Sequence, residues 1–203
     1  MLRRLQPGAG ASGFTLVELM VAVAILGIAL ALALPSFSIW IQNTRIRATA
    51  EAISSGLRLA KSEAVGRNRG VRFQLTDTLT NSCALSTSGR NWVIDLVDAS
   101  GDSVANGCHS APSDTTAPSI LHKRSAAEGS ANVSVSSTAD SSVFNGMGRA
   151  ATAMTIQIRD TNADTNCLAT AGGKFTCLRV LLSVSGQVRM CNPALSSPNP
   201  QAC

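Results

Sequence analysis

Between Phe14 and Leu34 the chain is apolar apart from Thr15 and carries one ionisable side chain, Glu18. A run of roughly 20 such residues is what an α-helix needs to cross the hydrocarbon core of a bilayer. A lone charge in that setting costs about 2.5–3.5 kcal/mol on insertion scales, and such charges are found paired. Glu18 therefore calls for a cation at membrane depth.

The segment just upstream points to where that cation comes from. Arg3 and Arg4 stand before Pro7, Gly8, Gly10 and Gly13, so the basic end should stay cytoplasmic. A cut between Gly13 and Phe14 would free an ammonium one helical turn from Glu18, able to pair within the chain or with a neighbouring subunit. An ordinary secretory signal would instead carry a small-x-small cleavage site after its apolar run. Ala29 to Ala33 could supply one, but cutting there would discard the Gly13–Glu18 arrangement, which has no role in simple secretion. Cleavage before the anchor is the reading adopted.

Beyond Pro35, which can kink a helix by removing a backbone donor, Ile46, Ala50, Ile53, Leu57, Ala60 and Ala64 recur at alternating steps of four and three. They draw one narrow, alanine-rich stripe suited to close packing on a sheet. One helix is expected from Phe14 to Val65, stopped by Gly66, Asn68 and Gly70. Apolar runs at Val71–Leu75, Trp92–Val97, Val133–Val135, Met154–Ile158, Arg179–Val184 and Gln187–Met190 read as strands. Ser100–Ala117, Ser134–Ser142 and the tail after Pro193 read as loops. The expected fold class is α+β, with a leader at 1–13, a transmembrane or filament-core helix at 14–35, an amphipathic stalk helix at 36–66 and a β-rich periplasmic head at 67–203.

Six cysteines, Cys83, Cys108, Cys167, Cys177, Cys191 and Cys203, all follow the anchor and include no CxxC spacing. That pattern fits an exported, oxidising compartment and structural disulfides better than zinc. Sequence leaves the pairing open; nearest-neighbour closure would join Cys83 to Cys108, Cys167 to Cys177 and Cys191 to Cys203.

Two tryptophans, five phenylalanines and no tyrosine leave little for a base-stacking surface. The formal charge of +5 falls to +3 once Arg3 and Arg4 are removed with the leader. Lys174, Arg179 and Arg189 fall on the last strands and their connecting loop, where they could gather into a phosphate-binding patch or stand as solvated strand edges. His109 and His122 occupy polar, loop-like settings with no nucleophile motif nearby, which argues against an enzyme. Asp160, Asn162 and Asp164 begin like a calcium loop, but Thr165 replaces the required glycine and Ala171 the bidentate glutamate, so no metal or other cofactor is expected.

Gly13-Phe14-Thr15-Leu16-Val17-Glu18-Leu19 resembles the class III prepilin signature of the type IV pilin-like proteins. Arg58–Ala64, Val143–Arg149 and Gly186–Pro193 resemble stretches of the GspH/FimT/FimU group within it. The resemblance implies the type IV pilin fold, a long N-terminal helix on an antiparallel sheet, with Pro35 at the family's usual kink. It implies cleavage at Gly13 and N-methylation of Phe14 by prepilin peptidase, and assembly through Glu18. Implied partners are other minor and major pilins and an inner-membrane assembly platform, with the protein held in the inner membrane before it enters a pilus or pseudopilus. The implied role is a minor type IV pilin or, alternatively, a GspH-type pseudopilin of type II secretion. FimT-type minor pilins of some bacteria bind DNA through a basic C-terminal region, which makes Arg189, with Lys174 and Arg179, candidate DNA contacts.

Overall fold

A single hydroxyl opens the long helix α1, Leu16–Arg67. Thr15 stands at its N-cap, and the Thr15 Oγ1 accepts the Glu18 amide at 3.2 Å, satisfying one of the first-turn donors that no helix can pair internally. At the other end Asn68 takes the left-handed conformation at φ 50°, donating to the Val65 carbonyl, while the Arg69 amide reaches Ala64 at 3.2 Å. These two bonds close a Schellman cap. Of the three residues expected to stop the helix, Asn68 makes the turn. The computed structural model describes residues 13–97, 104–125, 132–161 and 175–203, the side chains of 33–36 excepted. Pro35 falls within α1, which is assigned as one helix from Leu16 to Arg67.

The chain divides into two compact units, Met1–Ser38 and Ile39–Cys203. In the first, every residue from Gly13 to Leu32 is exposed, so this part of α1 finds no apolar cover among the described residues. In the second, strands follow the helix in the order β1 Val71–Thr76, β2 Asn91–Leu96, β3 Ile120–Arg124, β4 Val133–Ser137, β5 Ser141–Phe144, β6 Met154–Asp160, β7 Leu178–Leu182 and β8 Val188–Cys191. They form two four-stranded antiparallel sheets, β3-β2-β1-β5 and β4-β6-β7-β8.

Both sheets bury their inner faces on the alanine-rich stripe. Ile46, Ala50, Ile53, Leu57, Ala60 and Ala64 are inaccessible to solvent and share one core with Phe73, Leu75 and Ile94 of the first sheet and Ile156, Ile158 and Val180 of the second. Burying a side chain of the Leu or Ile class stabilises by about 1.5–3 kcal/mol, so this stripe is the principal cohesive surface of the head. Gly56 faces the first sheet at close range. A Cβ there would stand 3.0 Å from the rings of both Phe73 and Trp92, which pack on each other at a centroid distance of 6.0 Å.

β1 and β2 are buried at every position because a second layer covers their outer face. Val93 and Ile120 pack there with Val104 and the Cys83–Cys108 disulfide. Lys123 anchors this layer, its ammonium donating to the carbonyls of Cys108, His109 and Ser110 at 3.0, 3.0 and 2.9 Å. Beneath it Arg72 donates to Asp95 at 2.7 Å and Gln74 to the same carboxylate at 2.6 Å.

Two elements depart from expectation. The Ser134–Ser142 stretch, read as a loop, contributes the end of β4 and the start of β5. Ser134 and Ser136 fill the outward positions of β4, Ser137 donates to the Ala139 carbonyl at 2.6 Å, and the buried Ser142 donates to the Thr152 carbonyl at 2.7 Å. β3 was not foreseen, since Ile120 and Leu121 are followed by His122, Lys123 and Arg124, and the alternation that marks a strand never develops.

Replacing Gly56 by leucine should therefore lower stability by about 1–3 kcal/mol through overpacking. The check is the urea midpoint of the detergent-solubilised chain, with unchanged far-ultraviolet circular dichroism at zero denaturant.

Candidate functional site

The N-terminal part of α1 is the first candidate surface. Phe14 is 85% exposed, and Leu16, Val17, Leu19, Met20 and Ile25 are open as well. The apolar side chains point all round the helix, which suits a lipid environment or the centre of a helical bundle. Glu18 lies in the first turn, where a carboxylate also interacts favourably with the helix dipole. Gly13 and Phe14 precede the helix and are exposed.

The second candidate is the outer face of the β4-β6-β7-β8 sheet. Val180 and Leu182 of β7 point to the core, so Arg179 points outward, and Arg189 of β8 does likewise. Register places Gln157 opposite Arg179 and Leu181 opposite Arg189. Arg159, two residues along β6 from Gln157, belongs to the same face. Arg159, Arg179 and Arg189 thus form a diagonal across three neighbouring strands, with side chains at a spacing of about 7–8 Å typical of diagonal neighbours. Lys174, expected to join them, lies outside the described residues.

These arginines differ in availability. The Arg179 Nε is buried without a hydrogen-bond partner. Arg189 donates to the Ala202 carbonyl and, at 3.3 Å, to that of Cys203. The tail folds back through the Cys191–Cys203 disulfide and an Asn192–Ala202 bridge, so Arg189 helps to clasp the chain end. Two of the three nearest-neighbour disulfides are thus present. Cys177 is also disulfide-bonded, and its expected pairing with Cys167 lies outside the described residues.

Titratable groups elsewhere hold elements together. His122, expected on a loop, is on β3, and its Nε2 lies 3.1 Å from the Glu63 carboxylate. Arg67 donates to Glu63 at 2.7 Å and to Asp114 at 3.3 Å, tying the last turns of α1 to the layer behind the first sheet. The Arg67 and His122 hydrogen bonds hold the Glu63 carboxyl below its ordinary value, while burial pushes Asp95 up against the pull of Arg72 and Gln74. His109 is exposed. Among the described residues no three metal-ligating side chains cluster. Asp160 is buried at the end of β6, while Asn162 and Asp164 lie outside the described residues.

The profile of the family described as Type II transport protein GspH matches residues 49–190. The chain belongs to the GspH family. A prokaryotic N-terminal methylation motif matches residues 9–34, which implies processing by prepilin peptidase and other pilins as partners. The solved minor pilin FimU of Pseudomonas aeruginosa is similar in fold, with 18% identity over 81% of this chain and 98% of that one, at a TM-score of 0.50. Escherichia coli GspH aligns at 16% identity over 78% and 95% of the two chains, with a TM-score of 0.42. Comparison with curated protein sequences gives no match. The apolar N-terminal helix of this GspH-family chain suggests membrane anchoring.

Sequence reading missed Thr15 and Arg159. Thr15 could have been found from the T-x-x-E order that marks helix starts, and Arg159 from its odd position in the period-two pattern of Met154–Asp160. The Glu63–His122 pair had no local signal, because 59 residues separate its members.

Because the folded Glu63 carboxyl titrates below its ordinary value of 4.5, its contribution is complete above that pH and is lost as pH falls through the lower, folded value. Glu63→Gln should lower stability at neutral pH by only about 0.2–1 kcal/mol, since the network is partly exposed. Urea melts of the two proteins should converge as pH drops below 4, and a gap that persists at pH 2 would refute this assignment.

Proposed function

We propose that this chain is a minor type IV pilin. Prepilin peptidase cuts after Gly13 and methylates Phe14; residues 14–35 then hold the protein in the inner membrane with the head in the periplasm. The assembly platform draws it upward as Glu18 pairs with the amino terminus of a neighbouring major or minor pilin. It primes the filament and lies near the tip, supporting twitching, adhesion or DNA uptake. The observation that carries this reading is the apolar helix, exposed at every residue from Gly13 to Leu32 and interrupted by one carboxylate. Such a surface is tolerable in lipid and is covered only when other helices pack around it.

Glu18→Gln removes the charge and keeps the shape. The variant should insert in the membrane and be cleaved as before, yet its recovery in sheared filaments should fall by at least roughly tenfold, because the neighbour's ammonium loses its partner in a low-dielectric setting.

A second reading, favoured by the description of the matched family, is a pseudopilin of type II secretion. Deleting the gene and scoring surface pili, twitching and enzyme secretion in parallel separates the two. Lost piliation with normal secretion supports the minor pilin, and lost secretion with normal pili replaces it by the pseudopilin. The arginine diagonal supports a further role in holding DNA. Changing Arg159, Arg179 and Arg189 together to glutamine should then weaken salt-sensitive binding of duplex DNA and reduce the salt slope by about 0.9 for each phosphate no longer neutralised. Unchanged binding and slope would remove that role.

A further inference from the structure

The three stretches that carry the GspH resemblance are far apart in the chain, yet they meet at the C-terminal end of α1. Lys61 donates its ammonium to the Gly186 carbonyl at 3.0 Å. Gly148 and Gly186 both take left-handed backbone, at φ 74° and 75°, and a Cβ on Gly186 would collide with the Gly148 carbonyl oxygen. A Cβ on Gly148 would stand 2.9 Å from Lys61 and 3.1 Å from Val65. The Ala150 amide donates to the Val184 carbonyl at 3.1 Å, locking the β5–β6 turn to the β7–β8 turn. The result is a rigid junction of one helix end and two turns.

That junction carries large apolar side chains on its outside. Met147 is 78% exposed, Val184 54% and Val65 50%. Nothing in the folding of the head requires them there: the turn geometry is set by the glycines and by the Asn145 side chain, which accepts the Met147 and Arg149 amides. Val184 and Arg149 also border a cleft of about 260 Å³ floored by Val143 and Ala150. Arg149 lines that cleft, and Arg69 is exposed between Asn68, which abuts Gly146, and Gly70, which faces Val143; neither guanidinium is paired with a carboxylate among the described residues.

We propose that the surface of Val65, Met147 and Val184, rimmed by Arg69 and Arg149, is a docking site for a different protein chain. The charges decide the occupant. Two copies meeting through this face would set arginine against arginine, a like-charge juxtaposition that penalises self-association. The fitting partner presents an apolar side chain to the cleft, flanked by aspartate or glutamate. Methionine at the centre suits this, because its flexible thioether adapts to an incoming side chain. The surface deepens the filament reading in one respect only: if that reading holds, the partner is another subunit of the filament.

The test is photocrosslinking of the full chain in its native cells. A benzoyl-phenylalanine placed at Met147 or Val184, with exposed Gln201, beside Trp40 and Asn43, as a control, should give one discrete heterologous adduct from the first two positions and none from the third. In the R69E/R149E chain the yield should fall by at least roughly tenfold, and reversing the facing carboxylates of the crosslinked partner to lysine should restore it. An adduct between two copies of this chain, equal labelling at Gln201, no adduct at all, or a yield unaffected by the charge reversal would each overturn the proposal. If deleting the gene leaves pili and secretion intact while cells that express the substituted chain still yield the crosslink, the filament reading is retired and the docking surface is kept.

Discussion

Six side chains on one side of α1 belong to the core of both sheets. Ile46, Ala50, Ile53, Leu57, Ala60 and Ala64 supply the apolar surface against which β1, β2, β6 and β7 bury their inner faces. Half of them are alanine, so the helix lies close to the sheets, and Gly56 brings it closer still to Phe73 and Trp92. The rest of the head depends on this packing, because an antiparallel sheet with one apolar face has to cover it. The second layer, with its disulfide and buried Arg72–Asp95 pair, is built on the back of a sheet already fixed to the helix.

The first part of the same helix obeys the opposite rule. Its side chains are apolar all round and exposed, and within the chain no described residue covers them. Free energy that an ordinary core helix gains on folding is here left to be gained in lipid or on assembly. In the proposed assembly Glu18 would make that attraction specific, since a carboxylate in such surroundings discriminates strongly between a neighbour that brings a cation and one that does not. Folding of the head and association of the helix are in this way assigned to different stretches of one element.

The junction at the end of α1 joins packing to function. Lys61, Gly148 and Gly186 meet for steric reasons, as two turns with left-handed glycines press against a lysine stem and its ammonium finds a carbonyl. Rigid backbone at that point holds Met147 and Val184 outward at little entropic cost on binding, which is what a preorganised surface requires. The arginine diagonal on β6, β7 and β8 is different in kind: one of its members is partly buried and another is committed to the chain end.

Much of the architecture was legible because it is periodic. The apolar run, the four-and-three stripe and the alternation in Met154–Asp160 each repeat with the period of the element they form. Ser134–Ser142 misled because half-covered strands can be rich in serine, and β3 because its outward residues interrupt the apolar pattern. By itself, the order of residues determined the apolar run, its isolated carboxylate and the face of α1 that would be buried, since each depends on neighbours within a few turns. Only the tertiary structure decided that Arg159 joins Arg179 and Arg189, that His122 meets Glu63, and that three separated glycine- and lysine-bearing stretches form one surface. Those are meetings across strands and between elements, and their physical cause is sheet register and helix placement, which no local pattern in the chain encodes.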